Sequence, residues 1–321
     1  MDEESYRIRG FQPRDYAQEA KIWNRIDLGR IITEEEIRRF EEKVFTPPLV
    51  NFKIVAEERS SGEAVGTGSL HHDLESFDPQ AFWVDVAVDP AHRGRGLGQS
   101  LARAIQEEAG TRRARRLWAM IRADDARAVR FLDLQGYTEL RRHWRSRLEL
   151  TNAATLPSRA ESLALRGVTF TTLAEENMES PELLRDLYDL TTASSADEPR
   201  PGPYTPVSFE QFVERDLRGP MFLPDAFFVA RERGRFVALC QLQRAEGQPD
   251  TLVQVFTGTR REFRGRGIAT ELKRRTVEYG RAHGYRAIRT GNDSLNHPML
   301  AINRKLGFQP EVVRILAEKQ P

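Results

Sequence analysis

The sequence predicts two mixed α/β domains in tandem, each built on a mostly antiparallel sheet flanked by helices. The chain has 321 residues, which is too long for one domain of roughly 100–150 residues. Segments with strand and helix character follow the order β-α-α-β-β-β-α-β-α-β in the first half, and the second half repeats that plan. A short turn of arginines and glycines stands between the fourth strand and the third helix of each half.

The repeat has a constant offset. The Arg-Gly-Arg-Gly turn begins at Arg93 and again at Arg264, and a glycine before an aromatic residue recurs at Gly136 and Gly307. Both pairs lie 171 positions apart (264 minus 93, and 307 minus 136). A match this long without a gap indicates duplication of a whole domain. We therefore expect a first domain at 1–152, a linker without periodicity at 153–162 and a second domain at 163–321.

Elements of the first half follow from local signals. Pro13 opens a helix, and Thr33 with Glu36 forms a start similar to a capping box. Leu97 and Leu101 begin a run of apolar residues at helical spacing. The predicted strands are 6–11, 51–58, 63–70, 82–88, 117–121 and 137–150, and the predicted helices are 13–26, one from 33, 97–109 and 124–135.

The second half is assigned by the same signals. Four prolines between 197 and 206 predict a loop, and Gly234 predicts the turn of a hairpin. The predicted strands are 168–173, 226–231, 235–242, 252–257, 286–290 and 312–316, and the predicted helices are 181–193, 209–217, 268–283 and 295–306.

Composition excludes several classes of protein. Lysines and arginines number 49 against 48 acids, so we expect no general attraction to nucleic acid or to anionic membranes. Arginine runs at 112–116 and 141–145, the second with Trp144, are better explained as solvated faces than as a nucleic-acid surface. The single cysteine, Cys240, forms no disulfide within the chain and no metal cluster, so we expect no metal. An acidic start and the lack of an apolar run of about 20 residues predict a cytoplasmic protein without a membrane partner.

The glycine turns are suited to binding an anion. A strand, a basic glycine turn and a helix present unpaired backbone N–H groups, and the helix dipole adds positive charge at the same end. A nucleotide P-loop would need Gly-Lys-Ser/Thr, which neither copy contains, and glycines at 94, 96 and 98 do not fit a dinucleotide fingerprint. A basic loop that only caps a helix is the plain alternative, and the recurrence of the turn weakens it.

The two turns resemble the pyrophosphate-binding turn of the GNAT superfamily of acetyl-CoA-dependent N-acetyltransferases. The pyrophosphate signature of that family, Arg/Gln-x-x-Gly-x-Gly/Ala, is met by Arg93, Gly96, Gly98 and by Arg264, Gly267, Ala269. Its later signature, an asparagine and then a helix ending in Leu-Gly-Phe/Tyr, is met at 296–308 and partly at 135–137. The resemblance covers almost the whole chain and implies tandem GNAT domains, each with splayed fourth and fifth strands.

The resemblance also implies acetyl-CoA (coenzyme A) as cofactor and the residues that hold it. In the first half these are Val86, Ala87, Val88, Arg93, Gly94, Arg95, Gly96, Leu97, Gly98 and Gln99. In the second half they are Thr257, Gly258, Thr259, Arg264, Gly265, Arg266, Gly267, Ile268, Ala269, Thr270, Asn292, Asn296 and Asn303. Gly258 inside a strand suggests a bulge or a close approach of the ligand.

The second half is expected to hold the main active site. Its Asn292, Asn296 and Asn303 have Ile121, Asp125 and Leu132 as counterparts in the first half, which we expect to be degenerate. The tyrosine with which family members protonate the departing thiolate is absent from both halves. Asn303 can hydrogen-bond a thiolate but cannot supply a proton at neutral pH.

The base that deprotonates the amine has several candidates. Asp197 and Glu198 lie in the proline-rich loop, where the resemblance places an acceptor pocket; solvated loop acids are the alternative. Asp85 is the family-like position if the first half is active, and Phe256 is its counterpart. The pair His71–His72 is better explained as ordinary strand histidines.

These observations predict an N-acetyltransferase that acts on a primary amine of a small molecule or peptide. A monomer or homodimer is expected, without nucleic acid. The alternative is a non-catalytic module that binds acetyl-CoA or another protein.

Overall fold

A computed structural model describes residues 4–26, 32–45, 48–245 and 247–321, with the side chains of residues 43 and 44 excepted. The first half contains β1 (Tyr6–Gly10), α1 (Tyr16–Ile26), α2 (Glu34–Val44), β2 (Asn51–Glu58), β3 (Ala64–His71), β4 (Ala81–Val88), α3 (Leu97–Thr111), β5 (Arg116–Arg122), α4 (Ala126–Leu134) and β6 (Thr138–Glu149). The second half contains α5 (Ala160–Ala164), β7 (Val168–Thr172), α6 (Pro181–Ser195), α7 (Phe209–Phe212), β8 (Phe222–Glu232), β9 (Arg235–Ala245), β10 (Gln248–Thr259), α8 (Ile268–Ala282), β11 (Ala287–Asp293), α9 (His297–Leu306) and β12 (Gln309–Lys319).

The twelve strands of the described residues form one sheet, in the order β1-β2-β3-β4-β5-β12-β6-β11-β10-β9-β8-β7. The two halves exchange their last strands: β12 pairs with β5 of the first half, and β6 pairs with β11 of the second. The predicted mixed α/β class with two repeats is confirmed. The strand exchange was not predicted, and the boundaries proposed at 152 and 163 stay a prediction.

Each half contains one parallel strand pair, and both pairs separate early. β4 is paired with β5 only from Ala81 to Trp83, and β10 with β11 only from Thr251 to Gln254. The rest of β4 and β10 diverges from its neighbour. This is the splay that the resemblance implied.

Helices cover both faces of the first half. Leu101 of α3 lies against Gly66 and Gly68 of β3, on one face of the sheet. α1 packs on β3 and β4. Side chains alternate along a strand, so Ser69 and its partner Asp85 lie on the face opposite to Gly68, which is the face that α1 covers. We call these the α3 face and the α1 face.

Three predicted local features differ in detail from the structure. The helix predicted at 209–217 is α7 followed by one π turn at Val213–Leu217. The segment predicted as a linker contains the short helix α5. The irregularities in β10 fall between Gln248 and Leu252 and between Gln254 and Phe256 rather than at Gly258. In the described part of the chain, the helices are too short or too polar to cross a bilayer.

Candidate active site

The first glycine turn has the geometry of an anion cradle. Gly96 caps the start of α3 with φ 77°, a left-handed conformation that glycine adopts without strain. The Nε of Arg93 donates to the carbonyl of Val88 over 3.1 Å, which ties the turn to the end of β4. Behind Gly96, the first N–H groups of α3 have no partner within the helix. The cradle fits a pyrophosphate.

The diverging end of β4 offers free backbone groups beside this cradle. Asp89 N donates to Val65 O over 2.9 Å, and Ala87 lies opposite Thr67. Hydrogen-bonded pairs alternate along an antiparallel ladder, so the N–H groups of Val86 and Val88 point away from β3 into the splay. An extended arm such as pantetheine can pair with them as a strand would.

A cavity of about 1410 Å³ occupies this splay. It is larger than the roughly 300–1,000 Å³ of a typical small-molecule pocket, which leaves space for a cofactor and an acceptor together. Of the predicted residues of the first half, all except Arg95 line it. Arg95 instead contacts the hydroxyl of Tyr6. The cavity also extends between α3 and α4, where Ala102, Gln106 and Leu132 line it.

Asp85 joins this cavity to a smaller one. Together with Trp23 it lines both the splay and a cavity of about 170 Å³ on the α1 face. The smaller cavity is also lined by Phe40, Phe45 and His71, and by Glu19 and Glu41, whose carboxylates are paired with the ammonium of Lys53.

Asp85 and His71 form a hydrogen-bonded pair. His71 Nε2 lies 3.1 Å from Asp85 Oδ2, and Ser69 Oγ donates to the same oxygen over 3.3 Å. Burial alone would lower the pKa of His71, but the Asp85 carboxylate outweighs burial and raises that pKa above its ordinary 6.5. Burial alone would raise the pKa of Asp85, but the hydrogen bond from His71 holds it below its usual value. Both shifts favour the imidazolium–carboxylate form of the pair.

The second glycine turn has the same backbone, but a side chain from the segment between the halves lies against it. Gly267 caps α8 with φ 86°, and Arg264 Nε donates to Thr259 O over 2.9 Å. Nη1 of Arg159 lies 3.0 Å from the position that a Cβ on Gly267 would take. The counterpart of the pyrophosphate cradle is thus in contact with a guanidinium from the segment between the halves.

That segment runs through the space between α8 and α9. Ala154 N donates to Leu306 O over 3.0 Å, Arg281 Nη2 donates to Ala153 O over 2.7 Å, and Arg159 N donates to Glu271 Oε2 over 3.0 Å. In the first half the corresponding space between α3 and α4 is part of the large cavity.

The remaining predicted residues of the second half are engaged with one another or with the core. Lys273, the counterpart of Ala102, is fully buried and contacts Asn303 Oδ1. Asn303 Nδ2 donates to Asn292 Oδ1 over 2.6 Å, and Asn296 caps α9. Ile268 is buried in the core, Thr257 bonds Gln254, Gly258 lies against Ser194, and Arg266 donates to Glu262 O. Neither cavity described above is lined by any described residue from 257 to 270, a range that includes Gly265, Ala269 and Thr270.

Asp197 is the anion that the second turn holds. Its carboxylate accepts from Arg261 Nε over 2.9 Å and from Arg264 Nη2 over 2.5 Å. The hydrogen bond from Arg261, with that from Arg264, lowers the pKa of Asp197 to about 2. Glu198 is exposed and lies 3.6 Å from Arg200.

The proline-rich loop connects the halves. Ser76 Oγ donates to Pro203 O over 3.1 Å, and Thr205 N donates to Glu75 O over 2.8 Å. Residues 203–205 therefore pack on the first half, whereas Asp197 at the start of the loop lies at the second turn.

Comparison with known proteins agrees with this geometry. The profile of the Acetyltransferase (GNAT) family matches twice, at residues 17–137 and 184–308. The chain belongs to the GNAT family. It is a tandem GNAT and an acyltransferase, and its cofactor is acetyl-CoA.

Relatives of similar length align with this chain across both halves. A mycothiol acetyltransferase from Thermobispora bispora is 29% identical over 247 residues, which cover 76% of this chain and 77% of that protein. One from Streptomyces bingchenggensis is 29% identical over 258 residues, or 79% of this chain and 77% of that protein.

Solved structures share the fold of the entire chain. A tandem GNAT protein from the clavulanic acid biosynthesis pathway superposes with a TM-score of 0.72 at 19% identity, over 98% of both chains. A GCN5-related N-acetyltransferase from Sphaerobacter thermophilus gives 0.71 at 20% identity, over 98% of this chain and 95% of that one.

Sequence reasoning overlooked Trp23, Lys53 and Tyr137. Trp23 lines both cavities, and Lys53 Nζ lies 2.5 Å from Glu19 and 2.7 Å from Glu41 in the smaller one. Tyr137 was recognised only as part of a signature, but it lines the large cavity. None of these positions carries a local signal, because their neighbours come from distant parts of the chain.

Proposed function

We propose that the first half carries the N-acetyltransferase site and that the second half is its scaffold. The observation that carries this proposal is the difference in space: the first splay contains the large cavity, whereas protein atoms fill the space between α8 and α9. This reverses the expectation based on Asn292, Asn296 and Asn303, whose side chains serve as hydrogen-bond partners and a helix cap.

Binding is divided between backbone and side chains. The cradle at 93–99 takes the pyrophosphate through the N–H groups at the start of α3. The N–H groups of Val86 and Val88 take the extended arm and orient it along β4. When bound, acetyl-CoA supplies an activated acetyl thioester.

Proton movement is assigned to the Asp85–His71 pair. An amine acceptor reaches the pair from the α1 face, through the smaller cavity. Amines of the lysine type have a pKa near 10.4, so the pair must remove a proton before the nitrogen can attack. His71 has to lose its own proton first, since both its ring nitrogens face acceptors, Asp85 and the carbonyl of His72.

Tyr137 is the proposed hydrogen-bond donor to the departing thiolate. Leu132 stands where the family pattern would place a tyrosine, and it has no proton to give. Burial, and then the charge of Asp85, raises the pKa of Tyr137, so its hydroxyl stays protonated. It lines the large cavity and can stabilise negative charge there by donation.

The acceptor is proposed to be a small molecule. The cavity beside Asp85 holds about 170 Å³, which suits one amine-bearing group rather than a folded chain. The relatives named mycothiol acetyltransferase support an acceptor of small-molecule type.

Two matched substitutions test which half binds the cofactor. Gly98→Glu and Ala269→Glu occupy equivalent positions at the start of α3 and α8, and each adds a carboxylate to one turn. We expect Gly98→Glu to abolish binding of acetyl-CoA in isothermal titration calorimetry and Ala269→Glu to leave the dissociation constant unchanged. The reverse result would assign the site to the second half.

A further inference from the structure

Two tryptophans lie side by side on the α1 face, next to the Asp85–His71 pair. Trp83 of β4 is paired with Trp118 of β5, and their ring centroids are 6.0 Å apart. We call them the tryptophan pair. Trp83 also lies directly opposite His71 of β3. Directly opposed side chains of an antiparallel pair share a face and lie about 5 Å apart, so a displacement of Trp83 alters the surroundings of His71.

The orientation of His71 decides how well it bonds Asp85. Nε2 of His71 lies 3.1 Å from Asp85 Oδ2, and Nδ1 lies 3.2 Å from the carbonyl oxygen of His72. Phe45 meets the imidazole edge-on, with the ring centroids 5.7 Å apart. A hydrogen bond weakens steeply when its distance or angle leaves the favourable range, so the bond to Asp85 depends on where the neighbouring side chains hold the ring.

The proline-rich loop of the second half packs on Trp118. A Cβ on Gly202 would lie 3.1 Å from Cη2 of Trp118 and 2.6 Å from Oγ of Ser76. Ser76 is buried, and its Oγ donates to Pro203 O over 3.1 Å. Trp118 is fully buried, and its indole N–H donates to Glu318 Oε2 over 2.9 Å. A larger residue at 202 must therefore displace Ser76 from its hydrogen bond or press on Trp118.

The same loop also holds Trp83, through the turn at 73–77. Nε1 of Trp83 donates to Asp73 Oδ2 over 3.0 Å, and Asp73 Oδ1 accepts from Glu75 N over 2.8 Å. The carbonyl of Glu75 in turn accepts from Thr205 N over 2.8 Å. One route from the loop thus passes through the other tryptophan and one through this turn, and both end at Trp83.

We propose that the proline-rich loop positions His71 for proton transfer through Trp83, so that the second half acts on the reaction without contacting the reacting atoms. Trp83 is a positioning residue in this arrangement. The inference rests on the proposed function of the first half, in which Asp85 and His71 take the proton from the amine. It assigns to Gly202 and Thr205 an effect on that pair, although both belong to the other half of the chain.

The electrostatic surroundings of His71 predict the sign of the effect. Titratable groups surround it: His72 beside it, Asp73 after β3, Asp85 of β4, Glu19 of α1, Glu41 of α2 and Lys53 of β2. Burial lowers the pKa of His71, and the hydrogen bond to Asp85 is the strongest opposing effect. Poorer alignment with Asp85 therefore lowers the pKa of His71, while substitutions in the loop leave every one of these groups in place.

A pH titration of the His71 imidazole by nuclear magnetic resonance tests the proposal on the full chain, without acceptor or turnover. The resonances of His71 are assigned by their loss in His71→Gln. We expect the titration midpoint of His71 to move to lower pH in Gly202→Ala, in the same direction as in Asp85→Asn but by less.

A second loop variant and a matched control accompany this substitution. Thr205→Val removes the oxygen that accepts from Phe77 N over 3.2 Å but does not crowd the tryptophans, and it should shift the midpoint in the same direction. In Gly280→Ala the new Cβ would lie 2.8 Å from Cδ1 of Leu150, in the core of the second half. This equally crowded change should leave the midpoint of His71 where it is.

The route through Trp83 is tested by combining substitutions. In a Trp83→Leu background, Gly202→Ala should cause no further shift, because the side chain that carries its effect to His71 is already absent. A full shift in that background would show that the loop acts on His71 by another route and would overturn the proposal.

Two further results would also overturn it: an unmoved midpoint in the loop variants, or an equal shift in Gly280→Ala. Thr205→Val alone decides the first point if Gly202→Ala does not fold. The titration is measured without cofactor, so a negative result here leaves the comparison of Gly98→Glu with Ala269→Glu intact. Failure of the first-half assignment would be seen in that comparison instead.

Discussion

At the scale of single residues, equivalent glycines of the two turns have different neighbours. Gly96 and Gly267 have nearly the same φ, 77° and 86°, and both begin a helix. Gly96 lines the large cavity, and Gly267 contacts Arg159. The same turn geometry therefore borders an open cavity in one half and a packed side chain in the other.

Replacing Asp85 tests the proton acceptor. Asp85→Asn keeps the shape of the side chain but removes the charge, so we expect kcat/KM to fall by about 10²–10⁴. In the unmodified enzyme the rate should rise with pH through the raised pKa of His71, above 6.5. Without the carboxylate, burial still lowers the pKa of His71 and only the smaller effects of the His72 carbonyl and Asp73 oppose it, so the acidic limb of the remaining activity should move to lower pH. A pH–rate profile of both forms measures this, and an unmoved limb would exclude the pair.

Lys273 should make stability depend on pH. Burial lowers the pKa of its ammonium from 10.5 to about 8, so above pH 8 the unfolded chain binds more protons than the folded one. Stability then rises with pH between about 8 and 10.5, by about 3 kcal/mol for this group. Below pH 8 the folded protein bears the free-energy cost of burying the charged ammonium of Lys273. Above pH 10.5 this cost is absent, because the amine is neutral in both the folded and the unfolded chain.

The variant Lys273→Met isolates this contribution. The substitution leaves Asn303 without its lysine partner, which lowers the free energy of unfolding by the same amount at every pH. It also removes the titrating amine. Urea unfolding at pH 7 and pH 10 should show the difference in unfolding free energy between the two proteins shifting by about 2.5 kcal/mol in favour of the unmodified one. A shift of zero would mean that the buried amine keeps its ordinary pKa.

At the scale of elements, the exchanged strands make each half incomplete alone. β12 pairs with both β5 and β6, and β6 also pairs with β11. Without the other half, β5 would become a free edge beside the splay, with its backbone donors unpaired.

A fragment of residues 1–150 tests this dependence. We expect it to lack a cooperative thermal transition by circular dichroism and to bind no acetyl-CoA, because β5 has no β12 beside it. Addition of a separate fragment of residues 151–321 should restore both properties. If the first fragment folds and binds alone, the exchange is dispensable.

At the scale of the molecule, one continuous sheet joins the half to which we assign catalysis to a half that completes it. The second half supplies β12, the proline-rich loop against Glu75 and Ser76, and arginines that line the large cavity. Duplication would in this way supply part of the wall of one large cavity.

Stoichiometry and cooperativity follow from that arrangement. Calorimetry should give one molecule of acetyl-CoA per chain, and heating should give a single transition, since no boundary separates the sheet into independent units. Two bound molecules per chain, or two separate transitions, would contradict the division of roles proposed for the halves.

The sequence by itself determined what depends on near neighbours. Residue type and spacing predict most helix and strand positions, both glycine turns at an offset of 171 (264 minus 93) and the family. Gly96 and Gly267 could be recognised because the turn requires a positive φ that glycine alone adopts freely.

Only the tertiary structure decided which cleft is open. The contacts that cover the second turn join Arg159 to Gly267 and Asp197 to Arg264, pairs far apart in sequence and without a local pattern. The same holds for β12 beside β5 and for Asp85 beside His71. Packing between distant segments selects such partners by shape and charge, so identical turns end in different surroundings.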